Sequence, residues 1–175
     1  MALRDFKIRP ATSGDLPALL RLIRSLAEYE RLLHRVVATE EQLGESLFGS
    51  HPIAEALLGL WQNQAVAYAV YFTTFSTFAA KPRLYLEDIF VEPSHRGKGF
   101  GGALLRHLCR IATARGCESL RWEVLTWNES ALEFYRHCGA QVITEWVGCE
   151  LAGDALQELA RQHEATPDGQ AELGD

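Results

Sequence analysis

The sequence predicts an α/β domain built on a mixed β-sheet. Runs with strand-like apolar patterning alternate with helical patterns in the order β-α-α-β-β-β-α-β-α-β-β. With 175 residues, of which 47% are apolar and 23% are charged, the chain is large enough to bury a core as one domain. We expect residues 1–162 to form this single domain. Residues 163–175 carry four acids and no Lys or Arg, which predicts a disordered tail.

Local sequence signals indicate where several of these helices begin and end. Thr39-Glu40-Glu41-Gln42 is a capping-box pattern, Asn128 is a helix cap, and Gly116 and Gly139 are placed to end helices. The predicted helices run from about Asp15 to Tyr29, after Thr39, from Gly101 to Gly116, from Glu129 to His137, and from about Asp154. The predicted strands are 6–9, 53–60, 65–75, 84–91, 120–125, 142–147 and about 149–151.

The charge balance limits the classes of partner. Seventeen Lys and Arg against 23 Asp and Glu give a net charge of −6, which argues against nucleic acid and anionic membranes. The longest apolar run, 65–72, is too short to span a bilayer, and the first residues lack a signal-peptide core. The four cysteines have no metal-site or redox spacing. We therefore expect buried thiols, no metal and a cytoplasmic protein.

A glycine-rich segment, 96–102, lies between the strand 84–91 and a helix. Glycines allow a tight turn, and the free amides and dipole of a helix start attract an anion, most naturally a phosphate. Gly97-x-Gly99-x-x-Gly102 also matches a dinucleotide fingerprint, but Glu118 begins the next strand where that motif needs an acid at its end. A Walker A loop is excluded because no Gly-Lys-Ser/Thr closes the motif. A glycine turn without a ligand is the remaining alternative.

Three side chains are candidates for acid–base chemistry. Glu87 and Asp88 are adjacent acids in an apolar strand, where burial is costly without a purpose. Strand alternation sends them to opposite faces. Beside the glycine segment we favour function for Glu87, whereas Asp88 stays undecided between function and a salt bridge. Tyr135 is either helix packing or a proton donor, and the pattern does not decide between them.

These segments together resemble the GNAT family of N-acetyltransferases over residues 6 to about 160. Arg96-x-x-Gly99-x-Gly101 is similar to the family's pyrophosphate loop, and the pattern Asn-x-x-Ala-x-x-Phe-Tyr-x-x-x-Gly-Ala at 128–140 is similar to its coenzyme A helix. Three further stretches, 8–12, 26–30 and 85–91, resemble the diamine (spermidine/spermine) and thialysine branches. The resemblance implies a GNAT fold, in which a mixed, mostly antiparallel sheet of about seven strands is flanked by about four helices.

The resemblance also implies an activity, namely direct transfer of an acetyl group from acetyl-CoA to a small primary amine. Glu87 would be the base, and Tyr135 would protonate the departing thiolate. The implied cofactor-binding residues are Ile89, Phe90, Val91, Arg96, Gly97, Lys98, Gly99, Phe100, Gly101, Gly102, Asn128, Glu129, Ser130 and Ala131. The implied substrate-binding residues are Tyr29, Glu30, Glu87, Arg121, Trp122 and Glu123.

One departure from the family pattern concerns the substrate. Val147 stands where the related enzymes carry a glutamate beside the amine. Losing that acid removes a partner for a distal ammonium, which disfavours long polyamines and leaves smaller amines open. The family resemblance implies a homodimer and no metal. Acetylation of a protein lysine or N-terminus, and a non-catalytic acyl-CoA-binding module, remain as alternatives.

Overall fold

The computed structural model describes residues 2–164, which divide into two compact units at the boundary between Ala131 and Leu132. The first unit contains a five-stranded sheet in the order β1-β2-β3-β4-β5. β1 to β4 are antiparallel, and β5 is parallel to β4, so the predicted mixed, mostly antiparallel sheet is confirmed. The strands are β1 Phe6–Pro10, β2 Glu55–Trp61, β3 Gln64–Ser76, β4 Lys81–Val91 and β5 Leu120–Arg121.

Among the five α-helices of residues 2–164, capping signals mark the starts of α2 and α4 and the ends of α3 and α4. Thr39 forms a complete capping box with Gln42, and the Asn128 side chain accepts a hydrogen bond from the Ala131 amide. Gly116 and Gly139 have positive φ just beyond two helix ends. The helices are α1 Leu16–Tyr29, α2 Glu40–Phe48, α3 Phe100–Ala114, α4 Glu129–His137 and α5 Gly153–Glu164. Residues 165–175 of the predicted tail lie outside the described residues.

Helices cover both faces of the sheet in the first unit. α1 and α2 pack on one face through a buried cluster, and α3 packs on the other, where Phe100 stacks on Phe6 with ring centroids 4.0 Å apart. Each fully buried leucine contributes about 1.5–3 kcal/mol to folding. The first cluster contains Leu19, Leu22, Leu47, Ala56, Leu58, Tyr68 and Phe90.

A β-bulge interrupts β4 at the adjacent acids. Val70 of β3 pairs with Asp88 and Tyr71 pairs with Leu86, which leaves Glu87 without a partner residue on β3. The bulge interrupts the side-chain alternation of β4 at Glu87, and Asp88 shares a face with Phe90 and Tyr68. That Glu87 and Asp88 point to opposite faces stays a prediction. Apolar periodicity does not reveal a single inserted residue, since the apolar positions remain consistent on either side of it.

The last two predicted strands do not form. Residues 141–152 make no ladder in the described structure, and every one of them is exposed. The alternating pattern at 142–147 is typical of a strand, but a strand exists only where a neighbouring strand pairs its backbone. The predicted strand 120–125 is likewise reduced to Leu120–Arg121, the two residues that pair with β4.

The cysteine prediction was also wrong. Cys109, Cys138 and Cys149 are exposed and Cys117 is half-buried, and all four are free thiols. The buried positions of α3 include Leu104, Leu108 and Ala112, whereas Cys109 is exposed outside this buried stripe. Among residues 2–164, no helix is both long enough and apolar enough to cross a membrane.

Candidate active site

The carboxyl-terminal half of β4 presents an open backbone edge. β5 pairs with β4 only at Leu84 and Tyr85, so within residues 2–164 no strand pairs with this side of β4 beyond Tyr85. The Glu92 amide donates to the Val66 carbonyl, and antiparallel pairing alternates, so the backbone groups of Ile89 and Val91 are directed away from β3. Phe90 pairs with Tyr68. An extended amide chain therefore has room to add to this edge as a strand does.

The glycine segment connects β4 to α3 with the backbone geometry that the sequence predicts. Gly97 and Gly99 have φ values of 73° and 84°, in the left-handed region that favours glycine. No described atom lies within 4 Å of where a Gly97 Cβ would be, so the space over the loop is open. The first amides of the 15-residue α3 have no partner within the helix. This turn is suited to hold a phosphate group.

Several carboxylates gather at the bulge just before this loop. Burial is the main cause of a raised pKa for Glu30, Glu87 and Asp88. The negative charge of Asp88 raises the pKa of both glutamates further, and Glu123 adds to the effect on Glu87. Carboxylates that interact in this way create a negative potential that attracts a cation and accepts protons more readily than free carboxylates.

Tyr68 is hydrogen-bonded to Asp88, the most buried of these acids. The sequence did not identify Tyr68 as a candidate site residue. Its ring is 0% exposed, and its hydroxyl donates to the Asp88 carboxylate at 2.9 Å. Burial, followed by the charge of Asp88, raises the pKa of Tyr68 well above its ordinary value, whereas the hydroxyl bond lowers the pKa of Asp88. The sequence does not distinguish Tyr68 from the other hydroxyl residues of the run 65–75, which are Tyr71, Thr73 and Thr74.

Tyr29, the last residue of α1, lies between the loop and the start of α4. The Arg96 guanidinium lies over its ring, 4.3 Å from the centroid, and its hydroxyl donates to Asn128 Oδ1 at 3.3 Å. The ring of Trp127 is 6.1 Å from that of Tyr29. The first unit thus brings predicted substrate residues at the end of α1 together with predicted cofactor residues from two other segments.

The remaining predicted residues of the first unit lie on β5 and at the start of α4. Arg121 is on β5 and Trp122 follows it, both half-buried, whereas Glu123 is exposed. Burial, followed by the negative charge of Glu123, raises the pKa of Tyr85. At α4, the Ser130 hydroxyl donates to Asn128 Oδ1 at 3.1 Å, which adds to the cap formed with Ala131, and Glu129 is exposed. Lys98 in the loop donates to the Ser94 carbonyl at 3.0 Å.

The predicted proton donor belongs to the second unit. Tyr135 lies on α4, is 9% exposed, and has its ring centroid 5.2 Å from that of Phe134. Its carbonyl accepts the amides of Cys138 and Ala140, which close the end of the helix. Val147 is 86% exposed. Over the described part of the chain, no three His, Cys, Asp or Glu side chains are grouped to hold a metal ion.

The architecture and sequence match known proteins. A thialysine N-epsilon-acetyltransferase of Bos taurus is 40% identical over 87% of this chain and 96% of its own length. An L-ornithine N5-acetyltransferase of Arabidopsis thaliana is 32% identical over 87% of each chain. Among solved structures, an integron cassette protein from V. cholerae superimposes with a TM-score of 0.76 at 27% identity, covering 90% of this chain and 98% of that one.

The family assignment rests on most of the sequence. The Acetyltransferase (GNAT) family matches residues 19–140, which include most of α1, the β4 bulge, the glycine loop and α4. The relatives that align over nearly the whole chain are N-acetyltransferases of small amines by name. The chain therefore belongs to the GNAT family of acetyltransferases, and it is an N-acetyltransferase.

Proposed function

We propose that this protein transfers the acetyl group of acetyl-CoA to a small primary amine of the thialysine or ornithine kind. The observation that carries the proposal is the group of interacting carboxylates at the bulge of β4, the strand that leads into the glycine loop. A protonated alkyl amine has a pKa near ~10, so it needs both an anionic site and a proton acceptor. The relatives named for thialysine and ornithine act on amines of this size.

Three parts of the chain would hold acetyl-CoA. The glycine loop and the start of α3 would bind the pyrophosphate through Gly97 to Gly102 and the cations of Arg96 and Lys98. The open edge of β4 would pair with the amide groups of the pantetheine arm through Ile89 and the amide of Val91, since the Val91 carbonyl already accepts from Arg96 Nε. Asn128 to Ala131 would line the other side of the arm. The positive φ of Gly97 and the free space above it support this placement.

Glu87 is the proposed base. It is the bulged residue, and its raised pKa makes it a better proton acceptor than an ordinary glutamate. Glu87 accepts one proton from the ammonium group, directly or through one water, and so frees the nitrogen lone pair. Glu30 and Asp88 would hold the cation near it, and Tyr29, Arg121, Trp122 and Glu123 would shape the rest of the amine site.

The transfer itself forms one bond and breaks one. The amine nitrogen attacks the thioester carbonyl carbon, the C–N bond forms, and the C–S bond breaks as electrons pass to sulfur. A β4 amide directed at the open edge would stabilise the developing negative charge on the carbonyl oxygen. Tyr135 would donate a proton to the thiolate and be restored by the second proton lost from nitrogen. One proton is released overall, through Glu87.

A thiol-release assay with acetyl-CoA tests the proposal. Thialysine, ornithine, lysine and spermine are supplied in turn, and we expect turnover of the amino acids to exceed that of spermine because Val147 provides no charge for a distal ammonium. Tyr135→Phe should lower kcat with little change in acetyl-CoA affinity. If calorimetry shows that coenzyme A binds but no amine is acetylated, the proposed reaction is refuted.

A cytoplasmic homodimer is the state that we propose for the enzyme. The homodimer rests on the family resemblance, and the location rests on the composition. Size-exclusion chromatography with light scattering tests the homodimer, and a single species of about 20 kDa, the mass of one 19.6 kDa chain, would contradict it. Imaging of a tagged protein in cells tests the location.

A further inference from the structure

Arg96 faces the predicted amine site as well as the predicted phosphate loop. Its guanidinium carbon lies 4.3 Å from the centroid of the Tyr29 ring and 5.5 Å from that of Phe90. Its Nε donates to the Val91 carbonyl at 3.0 Å, which fixes the plane of the guanidinium at the end of β4. A planar cation over an aromatic face is a directional contact that lysine does not reproduce.

The stacked tyrosine has further contacts on its other sides. Its hydroxyl donates to Asn128 Oδ1, which also accepts bonds from Ser130 and the Ala131 amide. Its ring lies 6.1 Å from that of Trp127. Tyr29 therefore joins the first residue of the glycine loop to the residue that caps α4. Arg96 and Asn128, at the two ends of this series of contacts, belong to segments that would contact acetyl-CoA. Tyr29, between them, belongs to α1.

We propose that Arg96 is a positioning residue for the amine. Its stack on Tyr29 couples the binding of acetyl-CoA at the glycine loop to the ordering of the amine site. Acetyl-CoA bound at the loop restricts Arg96, Arg96 restricts Tyr29, and the amine then meets a site that is already ordered. Binding of either substrate strengthens binding of the other by the same factor, since such coupling is reciprocal. This inference rests on the proposed function.

The alternative role for Arg96 is that of a phosphate ligand alone. Arg96→Lys separates the two roles, because lysine keeps the positive charge but loses the planar face and the Nε bond. We expect this variant to raise the amine KM by about 5- to 10-fold and to leave the acetyl-CoA Kd within about twofold. Lys98→Gln is the matched control, since Lys98 is a cation of the same loop that bonds to Ser94. It should weaken acetyl-CoA binding and leave unchanged the amine KM measured at saturating acetyl-CoA.

A double-mutant cycle tests whether the effect passes through Tyr29. Once Tyr29→Leu has removed the ring, Arg96→Lys should change the amine KM by less than about twofold, because residues in contact are not additive. Tyr29→Phe retains the ring and should keep most of the Arg96 effect. Additive changes in the double variant, or an Arg96→Lys effect confined to acetyl-CoA affinity, would overturn the inference.

A measurement made without any amine distinguishes failure of this inference from failure of the proposed function. The indole N–H resonance of Trp127, assigned with Trp127→Phe, is followed while coenzyme A is added. The wild-type signal should shift on binding, and the shift should be at least halved in Arg96→Lys at saturating coenzyme A. An equal shift in both proteins would refute the link, whereas absence of turnover with an Arg96-dependent shift would refute only the proposed reaction.

Discussion

Replacing Tyr68 with phenylalanine removes one buried hydroxyl and leaves the packing of the ring in place. The hydroxyl donates to Asp88 at 2.9 Å, and the tyrosine is 0% exposed. A hydrogen bond to a charged group contributes about 1.5–3 kcal/mol, and the carboxylate left behind is buried without that donor. We expect a loss of about 2 kcal/mol in the free energy of unfolding at pH 7, or about 4–8 °C in Tm.

The loss should depend on pH in a defined direction. Burial raises the folded-state pKa of Asp88, and the Tyr68 bond partly offsets that rise. A raised folded pKa means that the folded protein binds the Asp88 proton more tightly than the unfolded chain does. Protonation of Asp88 therefore stabilises the fold below the unfolded pKa, near ~3.9, and this stabilisation is lost as pH rises through the folded pKa. Without the hydroxyl the folded pKa rises further. Tyr68→Phe should therefore cost more at pH 7 than at pH 4.

Urea unfolding at the two pH values measures this difference. Tyr71→Phe is the matched control, because Tyr71 lies on the same strand and is also buried, but donates at 3.3 Å to Glu55, an exposed carboxylate already paired with Arg115. The control should cost less than about 1 kcal/mol. Equal costs for the two variants, or a Tyr68→Phe cost that is the same at both pH values, would show that Asp88 does not depend on Tyr68.

Three further substitutions test separate parts of the chain. Thr39→Ala removes the α2 capping box and should lower the free energy of unfolding by about 1 kcal/mol in urea titrations, with activity unchanged. Gly97→Ala adds a Cβ above the loop at φ 73° and should raise the KM for acetyl-CoA without changing the amine KM. Glu87→Gln should lower kcat/KM by about 10²–10⁴-fold and abolish the acid limb of the pH–rate profile. Glu41→Gln, at an exposed position of α2, should leave that profile intact.

The elements best predicted from the sequence are those set by local chemistry. The capping box at Thr39, the cap at Asn128 and the glycines after α3 and α4 each act within a few residues, so their positions agree with the structure. Local signals of this kind do not depend on which distant strand lies alongside.

The features that the sequence did not reveal depend on distant partners. The strands expected at 142–147 and 149–151 have the right alternation, but pairing decides whether alternation becomes a strand. The bulge at Glu87 is visible only in the register between β3 and β4. The Arg96 stack on Tyr29 joins residues 67 positions apart, and a loop motif read alone assigns that arginine only to a phosphate.

Thiol release from acetyl-CoA by the wild-type protein, with thialysine or ornithine as acceptor, tests the proposed reaction most directly. Wild type should acetylate at least one of these amines, with the product confirmed by its mass increase, and Glu87→Gln should be slower by about 10²–10⁴-fold although it binds coenzyme A normally. Wild-type protein that binds coenzyme A but acetylates neither amine would contradict the proposed reaction. A Glu87→Gln variant with full activity would contradict the role of Glu87 as its base.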